Sequence, residues 1–294
     1  MTRMVRNLMS WSLILILLQL PVHALDLNFG NIDLGKIGSI ISKATDAATE
    51  ISEEKERQIG TSVAANLLGA APLVDDQQLQ EYVNRVGQWV AAQSERPNLQ
   101  WRFGVLENDN VNAFATPGGY VFITKALFLM MNNEAELAGV LAHEISHVLR
   151  RHHLEAIKTK AQAGLLGDVL AMAIGKQGGA LDQLAQVGTS LYTSGLDQND
   201  EFQSDSDGVV LAARAGYDAY GLMSALATLG DIKADDSTMS LMNTTHPSIS
   251  DRLTRLETLQ HPGLDSARNA PRLQDRFASV QQHLMRESGF ERIQ

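Results

Sequence analysis

The sequence predicts an α+β fold that is mainly helical, with one small β-sheet beside a central helix. Three observations carry this. Apolar residues recur at helical spacing through much of the chain after residue 50, as Leu79, Val83, Val86 and Val90 do. Residues 101–124 alternate as strands do, around the turn-forming run Pro117-Gly118-Gly119. The stretch 137–149 that follows is again helical and apolar, its only polar side chains being His143, Glu144, Ser146 and His147.

Residues 1–24 read as a secretory signal peptide. Arg3 and Arg6 precede an apolar run at 13–18, and Val22-His23-Ala24 supplies a small-residue cleavage site. The run is too short for a comfortable membrane span. Residues 25–50 are an N-terminal amphipathic segment through Ile37, Ile40, Ile41 and Ala44. With 294 residues, 44% of them hydrophobic and 20% charged, the chain suits a globular protein of one or two domains. It has no cysteine, which excludes disulfides and thiolate metal ligands. A secreted, cysteine-free chain points to a bacterial periplasm rather than a eukaryotic exterior. The net charge of −10 argues against nucleic acid or anionic lipid as the main partner.

Ser52-Glu53-Glu54 opens a helix whose acidic first turn suits the positive end of the helix dipole, and Pro72 ends it. A second helix covers about 75–94 and Pro97 closes it. The strands are 101–106, 111–115 and 120–124, the last two joined as a hairpin. On the helix beyond them, His143 and His147 lie one turn apart on one face, so both imidazoles can hold one metal ion. Glu144, beside them, can reach a water on that ion. This is the HExxH arrangement of a zinc peptidase. An exposed strand beside such a site can accept an extended peptide through main-chain hydrogen bonds, which makes Asn112, Ala113, Phe114 and Ala115 candidate substrate-binding residues. A plain structural hairpin is the alternative.

His153 falls where metzincins place a third ligand, but Arg150 stands where they need a glycine. The helical pattern is expected to continue, which points His153 away. The stretch 161–196, rich in Ala, Gly and Leu, divides into two helices, about 161–175 and 180–194, that pack as a hairpin or move as a lid. Glu201 and Asp205 then share a helix face at i and i+4. Glu201 completes a His, His, Glu set with a fourth position open for water, and Asp205 is expected to accept the free N–H of a ligand histidine.

The run His143 to Val148 with Arg151-His152, then Glu201-Phe202-Gln203-Ser204-Asp205, resembles the HtpX and CAAX-prenyl-protease family of zinc metallopeptidases. Asn112-Ala113-Phe114-Ala115-Thr116-Pro117-Gly118-Gly119 and His246-Pro247-Ser248 with Arg252 match it too. The chain looks like the soluble, BepA-like periplasmic branch over about residues 50–260. The resemblance implies a gluzincin-type metallopeptidase domain at 51–262, with a small β-sheet beside the HExxH helix and a C-terminal helical extension at 263–294. It implies one Zn2+ per chain, held by His143, His147 and Glu201, with Glu144 as general base. Ser204 departs from the family's usual Ala, and Ser206-Asp207 from a common Arg-Leu pair. The tetratricopeptide repeats of that branch are not matched, so functions attached to them are not carried over.

His246, on a loop ahead of a helix that carries Arg252, has three readings open. With Arg252 it stabilises the oxyanion formed at a scissile carbonyl, or it occupies the open metal position and keeps the site latent, or it belongs to a capping loop. The expected function is zinc-dependent endopeptidase action on unfolded or misassembled envelope proteins, with outer-membrane assembly machinery as a possible partner. A chaperone-like binding factor with a latent or structural zinc site is the alternative.

Overall fold

The computed structural model describes residues 51–160, 192–233, 235–259, 264–268 and 270–287. The expected leader at 1–24, the segment at 25–50 and residues 161–191 of the glycine-rich stretch lie outside the described residues.

Helix α1 (Glu53–Ala70) starts where Ser52 accepts a hydrogen bond from the Lys55 N–H, with Glu53, Glu54 and Glu56 in its first turn. Helix α2 (Gln77–Ala91) is capped in the same way by Asp76, and buries the predicted face Leu79, Val83, Val86 and Val90. Strands β1 (Arg102–Leu106), β2 (Ala113–Thr116) and β3 (Tyr120–Thr124) form one sheet in the order β1-β3-β2. The β2–β3 hairpin is antiparallel, with Phe114 opposite Phe122. Its turn needs glycine, because Gly118 and Gly119 sit at φ 81° and 101°. The parallel pairing of β1 with β3 closes the sheet and leaves β2 on an edge.

Helix α3 (Lys125–Met130) leads to α4 (Glu134–Leu149), the HExxH helix, where Asn133 accepts from the Glu136 N–H. Every residue of α4 from Glu134 to Val148 is buried, so it runs through the middle of the core. Helix α5 (His152–Lys160) follows, then α6 (Gln198–Arg214), α7 (Gly221–Gly230), a short turn at Ser237–Met239, α8 (Ser240–Thr245) and α9 (Ile249–Glu257). Helices α6 and α7 lie almost backbone to backbone on α4. A Cβ at Gly208 would stand 2.9 Å from the His143 nitrogen, and one at Gly139 would stand 2.5 Å from the Leu222 nitrogen.

Helices α10 (Leu264–Ala267) and α11 (Gln274–Glu287) end the described chain. Phe277, Val280 and Leu284 of α11 belong to the same core as the HExxH helix. Buried Glu134, at the start of α4, accepts from the hydroxyls of Tyr82 (2.6 Å) and Tyr217 (2.7 Å) and pairs with Arg276 of α11. Among the described residues no helix is long and apolar enough to cross a membrane.

One expectation is overturned. The helix does not continue past the motif: α4 stops at Leu149, Arg151 takes φ 58°, and α5 starts afresh at His152. Left-handed backbone is unfavourable for an arginine. Buried Glu56 holds the corner by pairing with Arg151 (3.1 Å) and Arg96 (2.9 Å) and accepting from the Gly118 N–H. As a result His152 and His153 turn inward instead of pointing away.

Candidate metal and active site

Helix α4 presents His143 and His147, and α6 brings Glu201 across to them. The His143 Nε2 lies 3.1 Å from the His147 Nε2 and 3.6 Å from the Glu201 Oε2, and the His147 Nε2 lies 3.5 Å from the Glu201 Oε1. Ligands about 2.1 Å from a tetrahedral zinc stand about 3.4 Å apart, so these donors fit one such ion. Their chemistry, two imidazoles and a carboxylate, is that of an open catalytic zinc site. A second trio overlaps the first: His143, Glu201 and His246 offer ligand atoms within 4.8 Å of one another. The His246 Nδ1 is 2.5 Å from the Glu201 Oε2.

Asp205, one turn beyond Glu201, stands behind His143. Its Oδ1 lies 2.9 Å from the His143 Nδ1, where it can accept that N–H. Arg252 of α9 clamps the same carboxylate, with Nε donating to Oδ2 (2.9 Å) and Nη2 to Oδ1 (2.5 Å). This pairing occupies the guanidinium predicted to act with His246. Ser248 caps α9, accepting from the Asp251 N–H, which sets the start of the helix that carries Arg252.

Burial sets the electrostatics. Burial alone would depress His143, but the Asp205 and Glu201 carboxylates outweigh it and lift the imidazole to about 9. His147 is pushed well below its ordinary value by burial, and His153 to about 4 for the same reason. Burial works against the charged form of Glu201, but His246, His147 and His143 together hold it well below the carboxylate range. Asp205 is likewise held low by Arg252 against the effect of burial. Burial raises Glu144, which favours a carboxyl that both takes and returns a proton.

Two adjoining cavities, each of about 30 Å³, share Asn112, Ala113, Glu144 and His246. The first is apolar beyond His143 and Arg252, with walls of Val140, Leu222, Leu226 and Met242. The second is lined by Phe114, His147, His153, Tyr192 and Glu201. Of the predicted strand residues, Asn112 and Ala113 border both cavities, Phe114 borders the second, and Ala115 lines neither. Asn112 is buried, and its side-chain Oδ1 has no hydrogen-bond partner among the described residues. On the edge of β2, the Tyr192 hydroxyl donates to the Ala115 carbonyl (2.6 Å), and His153 stacks on the same ring.

The structure brings His143, Glu144, His147, Glu201, Asp205, His246 and Arg252 together with Asn112, Ala113 and Phe114, and leaves Ala115 off the cleft wall. It gives a place to two more: His152, which carried no role in the sequence pattern, and His153, which that pattern pointed away. His152 meets His147 Nδ1 to Nδ1 at 3.0 Å, and His153 enters the cleft wall. The signal for both was the break at Arg151, which carries no glycine to announce it.

The family model of peptidase family M48 matches residues 77–260. The chain is 33% identical over 216 residues to a beta-barrel assembly-enhancing protease of Escherichia coli (strain K12), a match covering 71% of this chain and 44% of that protein. It is 30% identical over 181 residues to the mitochondrial metalloendopeptidase OMA1 of Schizosaccharomyces pombe, covering 60% and 51%. It is 30% identical over 193 residues to a protease HtpX homolog of Desulfatibacillum aliphaticivorans, covering 52% and 61%. The chain spans about half the length of these curated relatives.

Proposed function

This chain belongs to peptidase family M48, a metallopeptidase family, and on that footing we propose that it is a zinc-dependent endopeptidase of the bacterial periplasm. Its substrates are unfolded or misassembled envelope proteins, and its setting is outer-membrane β-barrel assembly, in line with the name of the Escherichia coli relative. The observation that carries the reading is the convergence of the His143, His147 and Glu201 donors within 3.1–3.6 Å, with Glu144 in both adjoining cavities.

His143, His147 and Glu201 hold the metal, and Asp205, fixed by Arg252, keeps the His143 Nδ1 protonated so that Nε2 faces inward. Bound zinc supplies Lewis acidity for the scissile carbonyl and a water acidic enough to ionise near neutral pH. Glu144 takes the proton of the attacking water on its carboxylate and returns it to the leaving amine nitrogen. An extended substrate adds to the edge of β2, where Ala113 offers main-chain groups and the Ala115 carbonyl, held by the Tyr192 hydroxyl, must be released to it. The buried Asn112 Oδ1 gains a partner in the substrate amide.

A second reading is favoured by His246. Its ligand atom lies within 4.8 Å of those of His143 and Glu201, near enough that, on giving up its hydrogen bond to Glu201, it would supply a fourth, displaceable ligand and close the resting site. In that form the protein would act as a chaperone-like binding factor until a substrate displaces the imidazole. Cleavage of unfolded casein by wild type, Glu144→Gln and His246→Ala separates the two. The peptidase reading expects Glu144→Gln to lose about 10²–10⁴-fold in rate with the fold intact. A rise in His246→Ala supports the latent ligand and a fall supports the oxyanion role. Equal rates for wild type and Glu144→Gln leave the binding factor.

A further inference from the structure

We infer that His152 is a positioning residue for His147, accepting the proton on its Nδ1 and so fixing the tautomer that turns Nε2 to the metal. The inference rests on His147 being a metal ligand. It starts from the corner at Arg151, whose left-handed backbone lets α5 begin with a buried histidine facing back into the site. The two rings meet edge to face, with centroids 5.1 Å apart and an interplanar angle of 78°. Their Nδ1 atoms are 3.0 Å apart, so one nitrogen carries the hydrogen and the other the lone pair.

The far side of His152 decides which. Its Nε2 faces the Gln203 Oε1 at 3.3 Å and the Asp200 Oδ1 at 3.6 Å, and both are acceptors. The His152 proton therefore sits on Nε2, and Nδ1 is left as the acceptor. His147 must then protonate at Nδ1, which leaves its Nε2 lone pair directed at the His143 and Glu201 donors. The two histidines of the motif are backed by different chemistry: His143 by a carboxylate, His147 by a neutral imidazole. Ser204, the departure from the family's usual Ala, puts its hydroxyl 3.3 Å from the same His152 nitrogen.

The test is zinc affinity of the full chain, measured by chelator competition, in wild type, His152→Leu and His152→Asn. Leu and Asn have nearly the same shape, and Asn keeps an oxygen acceptor at the Nδ1 position. His152→Leu is expected to bind zinc about 10–100-fold more weakly, and His152→Asn to stay close to wild type. A packing role would move the thermal midpoint of the metal-free protein and leave the Leu and Asn variants alike in zinc affinity. Wild-type affinity in a folded His152→Leu overturns the inference alone, whereas a wild type that takes up no zinc overturns the metal reading and the inference with it. A readout without variants uses zinc-loaded, nitrogen-labelled wild type. There a nitrogen–nitrogen scalar coupling across the hydrogen bond is expected between the two Nδ1 atoms, and its absence overturns the inference.

Discussion

At the scale of single residues, the ion pair of Arg252 with Asp205 decides how firmly the His143 ring is held. Both partners are buried, and the guanidinium is bidentate. Removing the cation strands a charged carboxylate in the core, which costs about 3–5 kcal/mol. Arg252→Met is expected to lose stability of that order in chemical denaturation, and Arg252→Lys to recover only part of it, since an ammonium cannot fork. Wild-type stability in Arg252→Met would show that Asp205 is held by something else. His143 and His147 were legible in the sequence because helix periodicity puts i and i+4 on one face, whereas Glu144 and Glu201 were read from donor chemistry and the family resemblance. The inward turn of His152 and His153 was not legible. It depends on a left-handed arginine stabilised by Glu56, a residue about a hundred positions away in the chain.

At the scale of elements, the site depends on how closely α6 and α7 approach α4. A glycine-to-alanine change inside a helix ordinarily stabilises by about 1 kcal/mol. Gly69 of α1 has open space where a Cβ would go, and Gly69→Ala is expected to be neutral or stabilising in thermal melts. At Gly208 the sign reverses, because the added carbon meets the His143 backbone and pushes α6, with Glu201, away from α4. Gly208→Ala is expected to lower both the melting temperature and the zinc affinity. If it behaves like Gly69→Ala, backbone contact does not set the position of Glu201. The strands and the hairpin were legible from alternation and the Pro-Gly-Gly turn. The parallel pairing of β1 with β3 was not, because alternation shows which faces are buried and is silent about which strand lies next door.

At the scale of the molecule, the C-terminal helix shares the core of the catalytic region. Phe277 is fully buried, with its ring 4.9 Å from that of Phe128, and Gln281 donates to the carbonyls of Phe128 and Met131. Phe277→Ala is expected to destabilise the protein by about 3–5 kcal/mol while keeping a single cooperative transition. Two separate transitions would mean that α11 folds apart from the HExxH helix. The amphipathic pattern of 274–287 revealed a helix with one apolar face but not its partner, since many buried surfaces can receive such a face.

One metal ion shared by α4 and α6 is the premise of the proposed function. The measurement that bears on it most directly is zinc content per chain, after chelation and readdition of zinc, in wild type, Glu144→Gln and Glu201→Gln. One zinc per chain is expected in wild type and Glu144→Gln, with a large loss in Glu201→Gln. Equal zinc in all three, or none in wild type, would contradict a metal held between His143, His147 and Glu201.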